Sequence, residues 1–259
     1  MPSDAQGAVV SDGRILGDRH RVADLRPLRF GHLIYDFHTH SFLSDGVLLP
    51  IELIRRAHVA GYGAIAITDH AGAGNLEFVL DRLRGDCQLA SRHWPIVALP
   101  GVELTHVPAA AVADLARRAR RAGAAVVVVH GETIVEPVEP GTNRAAIDCE
   151  EVDILAHPGL LAPEEAERAA ARGCFLELSG RKGHAFANGH VARTALAAGA
   201  PLLVNSDGHE PGDLLSERFA RLVLKGAAVP DSEVETILQH HPRRLMARAL
   251  ERWPAGGGG

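Results

Sequence analysis

The chain is poor in the residue types that mark several classes of protein. Only 4% of its 259 residues are aromatic, and its three cysteines (Cys87, Cys149 and Cys174) lie far apart, outside any CxxC spacing. Separated cysteines in odd number are typical of buried free thiols in a reducing compartment. No apolar run reaches the roughly 18 residues of a membrane span, and residues 1–29 lack the apolar core of a secretory signal. We therefore expect a cytoplasmic protein with no membrane partner.

An excess of positive charge is also missing. The formal net charge is −5 and the isoelectric point is near 6.3, so we expect no binding of long nucleic acid. A short nucleotide or another small phosphorylated substrate is compatible with this balance. With 46% apolar and 23% charged residues, the composition is that of an ordinary globular protein, large enough to bury a sizeable core. The oligomeric state is left open.

Short apolar segments alternate with helical ones along most of the chain. We predict strands over residues 33–37, 64–67, 96–99, 125–129, 153–156, 174–178 and 201–204. The predicted helices cover residues 50–60, 76–90, 108–122, 143–150, 163–172, 191–198, 214–225 and 231–252, the last with a break near Pro242. Seven strand–helix units with nearly continuous apolar strands predict an α/β fold in a single domain, a closed or distorted barrel rather than an open sheet. We assign residues 32–252 to this barrel domain. Residues 1–31 are interpreted as an N-terminal extension with partial disorder, and residues 253–259 as a flexible Gly-rich tail.

Histidine is abundant, with 15 residues, and it is the commonest metal ligand in proteins. Nearly every predicted strand is followed closely by a histidine or a carboxylate. Side chains at the carboxyl ends of parallel strands meet at one rim, where α/β enzymes build their sites. The pattern therefore predicts one polynuclear metal centre, whose candidate ligands are His38, His40, Asp45, His70, Glu103, His130, His157, Asp207 and His209.

Single positions in this set have structural alternatives. An HxH pair is common, and Thr68 with Asp69 would also suit a helix N-cap. Asp36 shares a face with the first histidine pair and is a candidate for orienting it. Glu103 would be costly as a buried carboxylate without a cation. We interpret the histidines away from the strand ends as surface or packing residues: His20, His32, His58, His93, His106, His190, His240 and His241.

These motifs resemble the polymerase and histidinol phosphatase (PHP) family over residues 34–242. The resemblance implies a distorted (β/α)7 barrel that holds three divalent ions of zinc, manganese or iron. By motif, one ion is assigned to His38, His40, Glu103 and Asp207, a second to Glu103, His130 and His157, and a third to Asp45, His70 and His209. Asp207, His209 and His70 are also the candidate catalytic residues. The lead of about 35 residues and an insert over residues 131–141 depart from the family pattern without touching the ligands.

The resemblance also implies the chemistry of a metal-dependent hydrolase acting on phosphoric esters, with attack by a metal-bound hydroxide. Our leading hypothesis is a free-standing phosphomonoesterase for a small metabolite, similar to histidinol-phosphate phosphatase. Arg181, Lys182 and His184 follow a strand and are flanked by glycines, which suits a substrate phosphate, although a solvated basic loop is the alternative. Glu132 and Glu136 are candidates for contact with a cationic or hydroxylated part of the substrate.

Three alternatives stay open at this stage. A phosphodiesterase, acting on nucleotides or short oligonucleotides, would use the same metal set. An amidohydrolase-type enzyme that cleaves C–N bonds also has an HxH barrel site, but such sites commonly carry a bridging lysine at a strand end. Here both lysines, Lys182 and Lys225, lie elsewhere. The third alternative is a non-catalytic module stabilised by metal. The exact substrate, the metal and the general acid are not determined by the sequence.

Overall fold

A parallel sheet of seven main strands forms the centre of the structure, a computed structural model that describes residues 33–253. Along the sheet the main strands follow the order of the chain, with one short extra strand, β3, paired to β4. The bounds are β1 (Ile34–Asp36), β2 (Tyr62–Ile67), β3 (His70–Ala71), β4 (Val97–Leu104), β5 (Val126–His130), β6 (Ile154–Ala156), β7 (Phe175–Ser179) and β8 (Leu202–Asn205). The predicted extension over residues 1–31 and the tail beyond Trp253 lie outside the described residues.

Helices connect the strands and cover the outside of the sheet. They are α1 (Pro50–Val59), α2 (Leu76–His93), α3 (Val112–Arg121), α4 (Thr142–Asp148), α5 (Pro163–Arg172), α6 (Asn188–Ala198), α7 (Glu217–Gly226), α8 (Asp231–Glu235) and α9 (His241–Arg252). The predicted break near Pro242 is present as a π-helical turn, Thr236–His240, between the last two helices. Proline lacks an N–H donor and crowds the preceding turn, so the α-helical pattern is interrupted just before it.

The sheet closes on itself beyond the ends of β1 and β8. The backbone N–H of His40 donates to the carbonyl of Gly208 (2.9 Å), and the N–H of Asp207 donates to the carbonyl of His38 (3.0 Å). Below them, the side chain of Asn205 accepts the N–H of Phe37 at 3.0 Å. These contacts make a nearly closed barrel of seven strands in one domain, which confirms the predicted fold class.

Successive side chains of each strand point alternately into the barrel and toward the helices, and this alternation determines which residues lie inside. In β5, Val126 and Val128 belong to the apolar cluster inside the barrel, whereas Val127 and Val129 pack in the cluster under the helices. Successive side chains of a strand point to opposite faces, so His130 continues the inward series at the carboxyl end. The interior is thus apolar at depth and polar at the rim.

One strand differs from its prediction in a way that matters for the site. We predicted residues 96–99, but β4 runs through Pro100 and Gly101 to Leu104. Pro100 is tolerated because the ladder with β2 ends at that residue. A Cβ on Gly101 would lie 2.7 Å from the carbonyl oxygen of Val126, so only glycine allows this close approach of β5. Glu103 is therefore held inside a strand rather than in a loop after it.

Two features that composition bears on are the state of the cysteines and the presence of membrane-spanning helices. All three cysteines are buried free thiols, as predicted. Between residues 33 and 253 there is no helix with both the length and the apolar character needed to cross a membrane.

A buried carboxylate fastens two helices to the amino end of the barrel. Asp153, which is 1% exposed, accepts hydrogen bonds from Arg120 on α3 (2.5 Å) and Arg252 on α9 (2.7 Å). It also accepts the N–H of Val127 at 3.0 Å. Removal of this carboxylate would leave Arg120 with only the exposed Glu151, at 3.5 Å, as a counter-charge.

We expect the Asp153→Ala variant to lose about 3 kcal/mol of unfolding free energy, because it breaks a buried ion pair and leaves the buried Arg120 with only an exposed carboxylate as its partner. Urea unfolding of the metal-free protein measures this loss. The matched control is Asp114→Ala, which removes an exposed ion pair with Arg117 and should cost less than about 1 kcal/mol. Equal losses in the two variants would contradict the structural role of Asp153.

Candidate metal centre

The predicted ligands converge at the carboxyl end of the barrel. A cavity of about 220 Å³ is lined by seven of them: Asp45, His70, Glu103, His130, His157, Asp207 and His209. The other two, His38 and His40, lie beneath it and are almost completely buried. All nine side chains that the sequence singled out thus belong to one cluster.

Glu103 is the centre of the inner part of this cluster. Its Oε1 lies 3.3 Å from Nε2 of His38 and 3.6 Å from Nε2 of His157, and its Oε2 lies 3.7 Å from Nε2 of His40. Asp207 Oδ1 approaches Nε2 of His40 at 3.4 Å. Two ligands of one ion, each at roughly 2.1 Å, are separated by about 3.0–3.5 Å in tetrahedral geometry. These separations are therefore close to those of a common metal site.

A second group lies nearer the surface. Oδ1 of Asp45 is 3.1 Å from Nε2 of His209 and 3.4 Å from Nε2 of His70. Ligand atoms of these three residues and of His40 all lie within 4.8 Å of one another. His40 and Asp45 both follow β1, His70 lies in β3 and His209 follows β8, so closure of the barrel brings them together.

Asp69 holds the loop that carries Asp45. Its carboxylate accepts hydrogen bonds from the N–H and the hydroxyl of Ser41, both at 2.7 Å, and from the hydroxyl of Ser44 at 2.6 Å. The role of a helix N-cap, which the sequence left open for this residue, is not the one the structure shows. Asp69 instead fixes the turn that brings Asp45 to the histidines.

Glu177 orients the first histidine, and sequence reasoning missed it. The carboxylate lies 2.7 Å from Nδ1 of His38 and accepts a second hydrogen bond from Asn205 at 2.9 Å. Because His38 donates its Nδ1 proton to Glu177, the ring is held with Nε2 facing Glu103. The available signal was a charged residue at an inward position of an apolar strand, two residues after the interior Phe175.

Asp36, the residue predicted to orient the histidine pair, acts on the backbone instead. It accepts the N–H groups of Ser206 (3.1 Å) and His38 (3.4 Å), which begin the two ligand segments at the seam of the barrel. Burial raises the pKa of Asp36 to about 7. This carboxyl group therefore ties the ends of β1 and β8 together rather than contacting the imidazole rings.

The charges of the cluster depend on one another. Burial lowers the pKa of His40 and of His130 to about 4, so both rings are neutral near pH 7 and their nitrogens are available as ligands. For His70, burial acts in the same direction, but hydrogen bonds with Asp45 and Glu103 raise the pKa to about 10. A metal ion would replace that proton as the partner of the carboxylates.

The donor set fits divalent metal ions on a structural criterion. Buried polar atoms in proteins normally have hydrogen-bond partners. In the described part of the chain, the cluster contributes seven buried side-chain atoms without one: His38 Nε2, His40 Nδ1 and Nε2, Glu103 Oε1, His157 Nδ1 and Nε2, and His209 Nε2. Converging imidazole and carboxylate atoms of this kind are suited to zinc, manganese or iron.

The three residues predicted to bind the substrate differ in their position relative to the cavity. The guanidinium of Arg181 lines the cavity, contacts Nδ1 of His209 and donates to the carbonyl of Asp207 at 3.2 Å. His184 is buried in the cavity wall, with Nδ1 2.8 Å from Asp207 Oδ2. Lys182 is exposed and lies outside the cavity lining.

Two further residues enter the cavity from loops. His106, which we interpreted as a surface or packing residue, follows β4 and lines the cavity together with Glu136 from the loop after β5. His106 has a left-handed backbone (φ 51°), as do His157 (φ 26°) and Asp207 (φ 52°). Glu132 instead accepts N–H groups at the start of α4 and does not line the cavity.

Fold and site together define a (β/α)7-barrel protein with clustered side chains able to bind metal ions. The chain belongs to the same family as the uncharacterized protein MJ1295 of Methanocaldococcus jannaschii, with 44% identity over 215 residues that cover 83% of this chain and 99% of that protein. The 5′-3′ exoribonuclease Rnm of Escherichia coli is 26% identical over 170 residues, which cover 64% of this chain and half of that protein. No protein-family model matches the chain.

Solved structures share the fold at low sequence identity. A histidinol phosphate phosphatase from Lactococcus lactis, complexed with zinc, L-histidinol and phosphate, superposes with a TM-score of 0.54 at 15% identity, covering 76% of this chain and 94% of that one. An adenine deaminase from Arthrobacter aurescens gives a TM-score of 0.52, also at 15% identity, covering 80% and 78%. Proteins that share this fold thus include a phosphatase and a deaminase, so the fold alone does not identify the reaction.

Replacing Glu177 by Gln tests its orienting role. The variant keeps the shape of the side chain but removes the charge that fixes His38, so we expect metal affinity to fall about 10- to 100-fold. Competition with a chromophoric chelator, using zinc and manganese on stripped protein, measures the change. Glu150→Gln, on the exposed turn after α4, is the control. Unchanged affinity in Glu177→Gln would disprove the role.

Proposed function

We propose that the protein is a PHP-type, metal-dependent phosphoesterase that hydrolyses a small phosphomonoester. One observation carries the proposal: a guanidinium group, Arg181, lies beside a cluster of buried and unpartnered metal-ligand atoms. A phosphate group is an anion that a guanidinium can bind through two hydrogen bonds and that divalent cations can hold and activate. The adjacent positions of the two features support phosphate as the bound group.

Each part of the site has a role in this reaction. Divalent ions bound there would lower the pKa of water and offset the charge of the phosphoryl oxygens. Arg181 would donate hydrogen bonds to a non-bridging phosphate oxygen. His184 would hold a proton at Nε2, because Asp207 accepts from its Nδ1 at 2.8 Å and Glu136 lies 3.1 Å from its Nε2. A phosphate oxygen or a leaving group that enters the cavity would compete with Glu136 for this proton.

The size of the cavity supports a small reacting group. About 220 Å³ is below the roughly 300–1,000 Å³ of pockets that enclose drug-sized ligands. The phosphate end of the substrate would therefore enter the cavity, and the remainder would lie over the rim. Both lysines of the chain are exposed outside the cavity, so the bridging lysine common at amidohydrolase sites has no counterpart here. This favours phosphoester over C–N hydrolysis.

A second candidate is hydrolysis of the terminal phosphodiester of a short RNA. It is favoured by the likeness to Rnm and to the 5′-3′ exoribonuclease of Haemophilus influenzae, which is 34% identical over 71 residues covering 27% of this chain and 23% of that protein. The phosphate of a terminal nucleotide would meet the same candidate metal ligands and the same guanidinium as the phosphate of a monoester. The two candidates differ in which bond is cleaved.

Product analysis separates these candidates. Metal-stripped protein reloaded with manganese, zinc or iron would be assayed on phosphomonoesters, including histidinol phosphate and nucleotide bisphosphates, and on a 5′-phosphorylated oligoribonucleotide. We expect release of inorganic phosphate from a monoester, abolished by chelator and in a His40→Ala control. Release of mononucleotides instead would establish the second candidate. Absence of both products from fully loaded protein would refute the phosphoesterase proposal.

The role of Arg181 makes a separate prediction. In Arg181→Ala we expect kcat/KM to fall about 10- to 100-fold, the usual worth of hydrogen bonds to a charged group. The neighbouring Lys182→Ala should have a clearly smaller effect, because this side chain is exposed outside the cavity. Steady-state kinetics on the substrate identified above measures both. Equal effects would favour a diffuse basic loop over a specific phosphate contact.

A further inference from the structure

We propose that His106 and Glu136 are further ligands of the divalent cation that His130 binds, which adds both residues to the ligands of the metal centre. Neither residue is among the nine candidate ligands predicted from the sequence. The proposal concerns metal binding alone and does not require phosphoesterase activity.

The three ligand atoms are close enough to share one ion. Oε2 of Glu136 lies 3.1 Å from Nε2 of His106 and 3.0 Å from Nε2 of His130. The three ligand atoms all fall within 4.8 Å of one another. An ion bound at about 2.0–2.2 Å separates neighbouring ligands by roughly 3.0–3.5 Å. Two nitrogens and one carboxylate oxygen suit zinc, cobalt or manganese.

The hydrogen bond of His130 indicates which ring nitrogen is available as a ligand. Its Nδ1 lies 3.2 Å from the carbonyl oxygen of Gly131, which can only accept, so Nδ1 carries a proton. The ring therefore points its Nε2 at Oε2 of Glu136, 3.0 Å away.

The backbone gives an independent indication for His106. In the described residues, four non-glycine residues have a left-handed φ, namely His106, His157, Asp207 and Ala228. Three of the four line the cavity, and two of those three are ligands predicted from the sequence. A non-glycine side chain in this conformation is uncommon and tends to occur at functional sites. A left-handed backbone thus turns His106 toward the cavity, as it does His157 and Asp207.

The loop that carries Glu136 is held at its base. The carboxylate of Glu132 accepts the N–H groups of Gly141 and Asn143, both at 2.9 Å, and the side chain of Asn143 accepts the N–H of Glu132 at 2.9 Å. At the other end, Oε1 of Glu136 lies 3.1 Å from Nε2 of His184. This contact fixes the carboxylate and leaves Oε2 directed at the two histidines.

Cobalt titration of stripped protein tests the proposal. Wild type, His106→Ala, Glu136→Gln and the control Glu150→Gln would be titrated with Co²⁺, with bound ions counted by elemental analysis and followed by visible absorption. We expect both site variants to lose one bound equivalent, or to bind it at least tenfold more weakly, with the remaining equivalents unchanged. Ion counts, affinities and spectra equal to wild type in both variants would overturn the proposal.

A second measurement on wild-type protein covers the case in which the variants do not fold. Anomalous diffraction from crystals loaded with Co²⁺ or Zn²⁺ should place an ion within about 2.0–2.3 Å of both His106 Nε2 and Glu136 Oε2. A fully loaded centre without an ion at that position would overturn the proposal. Neither readout depends on turnover, so a negative phosphatase assay leaves this test intact.

Discussion

The structure depends on the burial of two carboxylates, Glu103 and Asp207, at the top of a closed barrel. Each is almost inaccessible to water, and burial alone would raise their pKa values. The surrounding imidazoles reverse this, and the pKa of both groups lies well below the ordinary value. Buried charges persist only when paired, so the fold requires either protonated histidines or metal cations at this position. The same requirement explains why so many strands end in histidine.

The residues that close the barrel also form part of the candidate site. The seam between β1 and β8 is made by backbone hydrogen bonds of His38, His40 and Asp207, which are also candidate ligands. Asp36 strengthens the seam through the N–H groups of Ser206 and His38. Any cation shared by residues from both sides would therefore also hold the first and last strands together. Metal binding would thus be coupled to barrel stability through these few residues.

Much of this could be predicted from the sequence, because alternation and strand ends obey simple rules. The seven strands, most helix bounds and the convergence of nine polar side chains follow from apolar segments ending in histidine or a carboxylate. The extension of β4 could not be predicted, since Pro100 and Gly101 normally end a strand and here mark a change of neighbours. Glu177 lay hidden within an apolar strand. His106 and Glu136 come from loops, whose paths are set by contacts such as those of Glu132, and periodicity does not encode such contacts.

The loops add side chains to those that the strand ends provide. Most of the candidate ligands lie at or just after strand ends, whereas the 131–141 loop and the segment after β7 contribute Glu136, Arg181 and His184 to the cavity. These loops meet where Glu136 faces His184, and His184 in turn contacts Asp207. A continuous path of hydrogen bonds thus joins a loop at the rim to a ligand in the buried layer. A substrate that displaces Glu136 would change the partner of His184 directly, so recognition at the rim and the charge state of the centre are physically linked.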